Sequence, residues 1–163
     1  MAIDAVVALK TLAQSKRRLS AVLSDEQRCD LVEAMAWDVL SCLLGHPEIE
    51  TVHAVCGEGW VRSDFPEGAL LIWEEGESRE GGLIAAYEMI AAKTAAEGLL
   101  FIHADLPFLG PEDISAMIAG SLDHYAVLSP DLSETGTNAV LRWRHQSLPL
   151  CFGEDSFARH QQA

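Results

Sequence analysis

Basic residues are scarce in this sequence: 11 Lys and Arg stand against 25 Asp and Glu, for a formal net charge of -14 over 163 residues. Binding along a nucleic-acid polymer requires many Lys and Arg contacts to phosphate, so that class of function is disfavoured. Long apolar runs are missing too. No stretch approaches the roughly 20 residues of a membrane span, and the amino end lacks the basic segment and apolar core of a signal sequence. A cytoplasmic protein without membrane contact is therefore expected. The four cysteines, Cys29, Cys42, Cys56 and Cys151, are dispersed. They show no close pairing of the kind a zinc site uses, and a chain of this size has no need of disulfide staples, so reduced, mostly buried thiols are expected. There is no Gly-x-x-x-x-Gly-Lys, which disfavours a Walker-type ATPase, and no internal repeat or low-complexity tract.

What is present is an alternation of apolar runs and helical patterns. Residues 3–9, 51–56, 69–73, 99–103, 125–128 and 138–143 read as strands, being short, apolar and bounded by Gly, Pro or polar residues. Ser24 precedes Asp25-Glu26-Gln27, a capping-box pattern, and Leu31, Met35, Val39 and Leu43 then recur at helical spacing up to Gly45. A second helix is expected over 83–96, ended by Gly98, and a third from Pro111, where Pro and acids sit at a helix start. This order predicts one α/β unit over residues 1–163, Rossmann-like, with a mainly parallel sheet flanked by helices.

Leu99 to Pro107 carries the most chemistry. It is an apolar run that ends on Asp105, and the carboxyl ends of strands in open α/β sheets are where ligands bind. Asp105 is a candidate ligand for Mg²⁺, which takes carboxylate oxygens together with substrate phosphates; the plainer alternative is a helix cap. His103 shares its strand face by alternation, and a partly buried structural role is expected for it. Lys10, Lys16, Arg17 and Arg18 crowd the loop after the first strand, with Arg28 not far beyond. Such focused positive charge on an acidic protein suits a small anionic ligand, although an exposed basic turn is an equal alternative. Thr135-Gly136-Thr137-Asn138 can present uncharged donors to an anion, and Phe152 to His160 resembles a glycine turn opening a helix. Glu74, Glu75 and Glu77 read as a solvated loop. Cys56-Gly57-Glu58-Gly59 ends a strand and is too short to assign.

In combination these segments resemble the CofC family, guanylyltransferases that join GTP to a small phosphorylated three-carbon acid in biosynthesis of the deazaflavin coenzyme F420. The family's strand, Lys, five residues and Lys-x-Arg-Leu correspond to Ala5 to Lys10 and Lys16 to Leu19. Its Ala-Asp-Leu-Pro corresponds to Ala104 to Pro107, its Gly-Thr-Asn to Gly136 to Asn138, and its Phe-Gly-x-x-Ser-Phe-x-x-His to Phe152 to His160. The resemblance implies a GT-A-like, nucleotide-diphospho-sugar transferase fold. It also implies that Lys10, Lys16 and Arg18 act in catalysis by holding the GTP phosphates, with Gly82 and Asp105 also at the nucleotide and Asp105 on Mg²⁺. Thr137, Gly153 and Ser156 would cradle the acceptor, one of 2-phospho-L-lactate, phosphoenolpyruvate or 3-phosphoglycerate. Where the family has Gly-Leu-Asn, this sequence has Gly82-Leu83-Ile84. Family members continue past the His-containing helix with a strand and an Asp-x-Asp-Thr-Pro segment bearing a second metal carboxylate, which these 163 residues do not include. Two expectations follow from that departure: a possible homodimer that covers the sheet edge, and, as an alternative function, a truncated nucleotide- and phospho-acid-binding protein that is weak or inactive in catalysis.

Overall fold

The computed structural model describes residues 2–73, 77–146 and 148–163, with the side chains at positions 14, 77–81 and 83 excluded. Six strands form one sheet: β1 (Ile3–Leu9), β2 (Ile49–Cys56), β3 (Leu70–Trp73), β4 (Gly98–His103), β5 (Ala126–Pro130) and β6 (Thr137–Trp143). Their spatial order is β3-β2-β1-β4-β6-β5. β1 to β4 run parallel, and β6 runs antiparallel to both of its neighbours. Chain order moves outward from β1 to β2 and β3, then returns to place β4 on the other side of β1. The carboxyl ends of β1 and β4 therefore flank a topological switch point, the crevice where open α/β sheets bind ligands.

Four helices cover the sheet: α1 (Asp25–Leu44), α2 (Glu77–Lys93), α3 (Pro111–Ser121) and α4 (Ser156–Gln162). Alternation along β1 and β4 sends Ile3, Ala5, Val7, Leu100 and Ile102 to one core with α1 and α3, and Val6, Leu99 and Phe101 to another with α2 and Phe152. The α1 start is the expected capping box, the Gln27 N–H donating to Ser24 Oγ while Gln27 Oε1 takes the Ser24 N–H. α3 starts at Pro111 with Gly110 as its N-cap. That removes the helix-cap alternative for Asp105, five residues upstream.

Strand ends shift by one or two residues from expectation, and the second helix moves at both ends. The second helix begins earlier than residue 83, at Glu77, and Gly82 (φ 66°, ψ -160°) breaks it at a kink. It ends at Lys93, and Gly98 opens β4 rather than closing the helix. A Cβ on Gly98 would sit 2.8 Å from the Trp143 ring, so this glycine is required by cross-strand packing against β6 and not by helix termination. Glu74 and Glu75 of the acidic cluster lie outside the described residues, as does the side chain of Glu77.

Candidate active site

The loop after β1 folds as two short 3-10 turns, Leu12–Gln14 and Arg17–Leu19, around Lys16 in the left-handed region (φ 50°). Two other segments hold it in place. The Gly57 N–H donates to Leu9 O, the Leu12 N–H to Glu58 O and the Trp60 indole N–H to Lys10 O. Gly57 is needed for this approach, since a Cβ there would lie 2.7 Å from Thr11 N. From α1, the buried Arg28 donates to Ser15 O at 2.7 Å and pairs with Asp25 at 2.5 Å. The short motif at 56–59 is therefore a buttress for the basic loop. Its contacts join residues more than 40 positions apart, which no local pattern in the sequence displays.

The left-handed turn brings Lys16 Nζ to 2.7 Å from Asp105 Oδ2, across 89 residues of sequence. Burial acts to raise the Asp105 carboxyl. The hydrogen bond and charge of Lys16, with His103 adding to them, outweigh it and hold the group below its ordinary value. Asp105 is thus an ionised carboxylate at neutral pH. A cleft of about 230 Å³ opens between Lys10, Lys16, Trp60, His103 and Asp105. His103 is depressed in pKa, first by burial, which Asp105 opposes, and further by Lys10 and Lys16. It enters the cleft as a neutral imidazole, tilted against Phe152 with ring centroids 5.2 Å apart. Arg18 is exposed on the second 3-10 turn and does not line this cleft, and neither does Gly82, exposed at the kink of α2.

β6 begins next to the end of β4, in register Ile102 to Ala139, so Thr137 lies at the same edge of the sheet. It is almost wholly enclosed. Its N–H donates to Ser156 Oγ at 2.8 Å, its hydroxyl lies 3.0 Å from His160 Nδ1, and the Cys151 N–H donates to His160 Nε2 at 2.8 Å. Gly153 (φ 117°) and Asp155 (φ 50°) make the turn that aims α4 at this corner. Burial lowers the His160 pKa; a hydrogen bond with the Ser156 backbone opposes the shift and Arg159 adds to it. Phe152 packs edge-on against His160 at 5.2 Å and is tilted against His103 at the same distance, so one aromatic ring connects this corner to the cleft.

The structure therefore brings Lys10, Lys16, His103 and Asp105 into one cleft, and Thr137, Ser156 and His160 into one buried corner with Gly153 on its turn. The loop before Thr137 differs from its expected role. Asp131 accepts from the Thr135 N–H (3.0 Å) and from the Ser133 hydroxyl (2.9 Å), and Asn138 Nδ2 donates to Pro130 O. The Thr135 N–H and the Ser133 hydroxyl thus stabilise the turn itself. The signal for this was Asp131 four residues ahead of Thr135, an Asx-type turn.

A family model described as "Guanylyl transferase CofC like" matches residues 3–163. Among curated proteins the chain is 38% identical over 169 residues to a phosphoenolpyruvate guanylyltransferase of Rubrobacter xylanophilus, covering 100% of this chain and 80% of that protein. It is 31% identical over 158 residues to one of Sphaerobacter thermophilus, covering 96% and 76%. Among solved structures, a protein named as a candidate nucleotide-diphospho-sugar transferase of Desulfovibrio desulfuricans superposes with a TM-score of 0.78 at 13% identity, covering 99% of this chain and 74% of that one. A CMP:2-keto-3-deoxy-manno-octonic acid synthetase superposes at 0.56 and 11% identity, covering 89% and 75%. At those identities the likeness concerns the fold, which is GT-A-like.

Proposed function

Since this chain belongs to the CofC-like family of guanylyl transferases, and so is a nucleotidyltransferase, we propose that it transfers GMP from GTP to phosphoenolpyruvate or a close three-carbon phospho-acid in coenzyme F420 biosynthesis. The names of the curated relatives put phosphoenolpyruvate ahead of 2-phospho-L-lactate and 3-phosphoglycerate. The observation that carries the proposal is the meeting of Lys10, Lys16 and Asp105 in one cleft at the switch point of a nucleotidyltransferase-type sheet.

In this scheme a phosphate oxygen of the acceptor attacks the α-phosphorus of GTP. The bond from that phosphorus to the β-phosphate bridging oxygen breaks, and diphosphate leaves with the electron pair. Lys10 and Lys16 neutralise charge on the departing phosphates, and Arg18, exposed on the next turn, is assigned to the outer ones. Gly82 is assigned to the nucleotide, and Thr137, Gly153 and Ser156 to the acceptor. Asp105 fits a Mg²⁺ ion by its chemistry, being an ionised, half-exposed carboxylate, and hard cations are commonly held by one or two carboxylates plus substrate phosphates. When bound, such an ion supplies electrophilic polarisation of the phosphates and a template for them.

Incubation with GTP, Mg²⁺ and each of the three acids should release diphosphate, fastest with phosphoenolpyruvate; no release with any of them would sink guanylyl transfer by this chain. A second reading, binding of nucleotide and phospho-acid without turnover, is favoured by a single fact: Lys16 already occupies an oxygen of Asp105, the candidate metal carboxylate. Calorimetry separates the two, because binding without turnover would be indifferent to Mg²⁺.

A further inference from the structure

We infer that His160 is a positioning residue of the acceptor side: its imidazole takes the Cys151 N–H on Nε2, donates from Nδ1 to Thr137, and so leaves the Thr137 hydroxyl hydrogen free for the acceptor. The inference rests on the guanylyl-transfer proposal for what the acceptor is, but its core is hydrogen-bond polarity that the geometry fixes. A backbone N–H can only donate, so the 2.8 Å contact from Cys151 requires a lone pair on His160 Nε2. In a neutral imidazole the proton is then on Nδ1. At 3.0 Å from Nδ1–H, Thr137 Oγ1 must be the acceptor.

The Thr137 hydroxyl therefore keeps its own hydrogen, and no acceptor among the described residues takes it. The residue is 2% exposed, and a buried donor is costly to leave without a partner. An anionic group of the acceptor, seated at the start of β6, would satisfy it. The remaining groups at this corner cannot reverse the polarity: Ser156 Oγ is engaged by the Thr137 N–H, and Arg159 points its guanidinium at Cys151 O and Phe152 O. His160 consequently acts through Thr137 and touches no reacting atom.

The test has one arm that needs no substrate. In protein labelled with ¹⁵N at histidine, long-range ¹H–¹⁵N correlation at neutral pH should show His160 protonated on Nδ1 only; an Nε2–H tautomer or an imidazolium would overturn the inference. The second arm is kinetic. H160Q places its amide at the ε position and loses the donor to Thr137, whereas H160N keeps a donor at the δ position. H160Q should raise the acceptor KM roughly tenfold with the GTP KM unchanged, H160N should raise it less than about threefold, and T137V/H160Q should be no worse than T137V, as coupled residues behave. Equal rises in both KM values, or additive effects in the double variant, would count against the assignment. Should the wild type release no diphosphate with any acid, guanylyl transfer fails, and the tautomer measurement still decides His160.

Discussion

The cationic cleft and the Thr137 corner lie at one edge of the same sheet and are built in opposite ways. Lys16 and Asp105 keep 30% and 47% of their side-chain surface in water, and they are bonded to each other. Thr137, Ser156 and His160 are buried, uncharged and interlocked. An exposed ion pair contributes only about 0–1 kcal/mol, so it can be exchanged for phosphate and metal at little cost. A buried hydrogen bond is expensive to leave unmade, about 1–3 kcal/mol, so the corner is fixed before any ligand arrives. The side chains held by an exchangeable ion pair are wet, and those that set geometry are dry. Phe152 touches both regions.

Breaking that link should have the largest effect. Phe152→Ala removes a buried ring packed on Tyr87, His103 and His160 and should cost about 3–5 kcal/mol of stability, read by denaturant unfolding. A loss under about 1 kcal/mol would mean the two regions are independent. Asp105→Asn should show the converse profile, a rate of diphosphate release lower by about 10²–10³-fold, on the scale of losing one key electrostatic contact, with unfolding nearly unchanged. Equal damage to fold and rate would erase the contrast drawn above. Gly57→Ala forces the basic loop off its buttress and should cost about 1–3 kcal/mol, as overpacking does, while raising the GTP KM and sparing the acceptor KM.

The smallest effect is the pH dependence of stability. Burial is the main cause of low pKa values at His103 and His160, so the unfolded chain binds protons more readily than the fold does. Full stability is present above the ordinary histidine value of 6.5 and declines as pH falls from there through the lowered folded values. Asp105 acts further down. Its carboxyl lies below the ordinary 3.8 in the fold, so its contribution is present above that value and disappears as pH drops through the folded one. Calorimetric Tm values should be flat above neutrality and fall between about pH 6.5 and 5, in the range where histidine titrates. The fall should be shallower in H160Q; an unchanged slope would mean that His160 binds protons equally in the folded and the unfolded chain.

Much of this was legible in the residues. β1 matches its expected range at 3–9, the Ser24 cap and Pro111 start hold, and Asp105 stands where an apolar strand runs out. These features are local: periodicity, capping and turn chemistry act over a few residues, and the sequence displays them directly. What failed to show was contact at long range. Gly98 looks like a helix stop in sequence, and only its neighbour Trp143 reveals a packing role. Thr135 looks like a donor for an anion until Asp131 is seen to hold it.

The sequence by itself determined the α/β order, the acidic character, the basic loop and the family to which the motifs point, because each is a property of composition or spacing. Only the tertiary structure decided which of the basic residues meets Asp105, that 56–59 supports the loop, and which nitrogen of His160 carries the proton. The physical reason is that partners 9 to 89 residues apart are chosen by sheet order and register, and the polarity of a hydrogen bond is set by both of its ends.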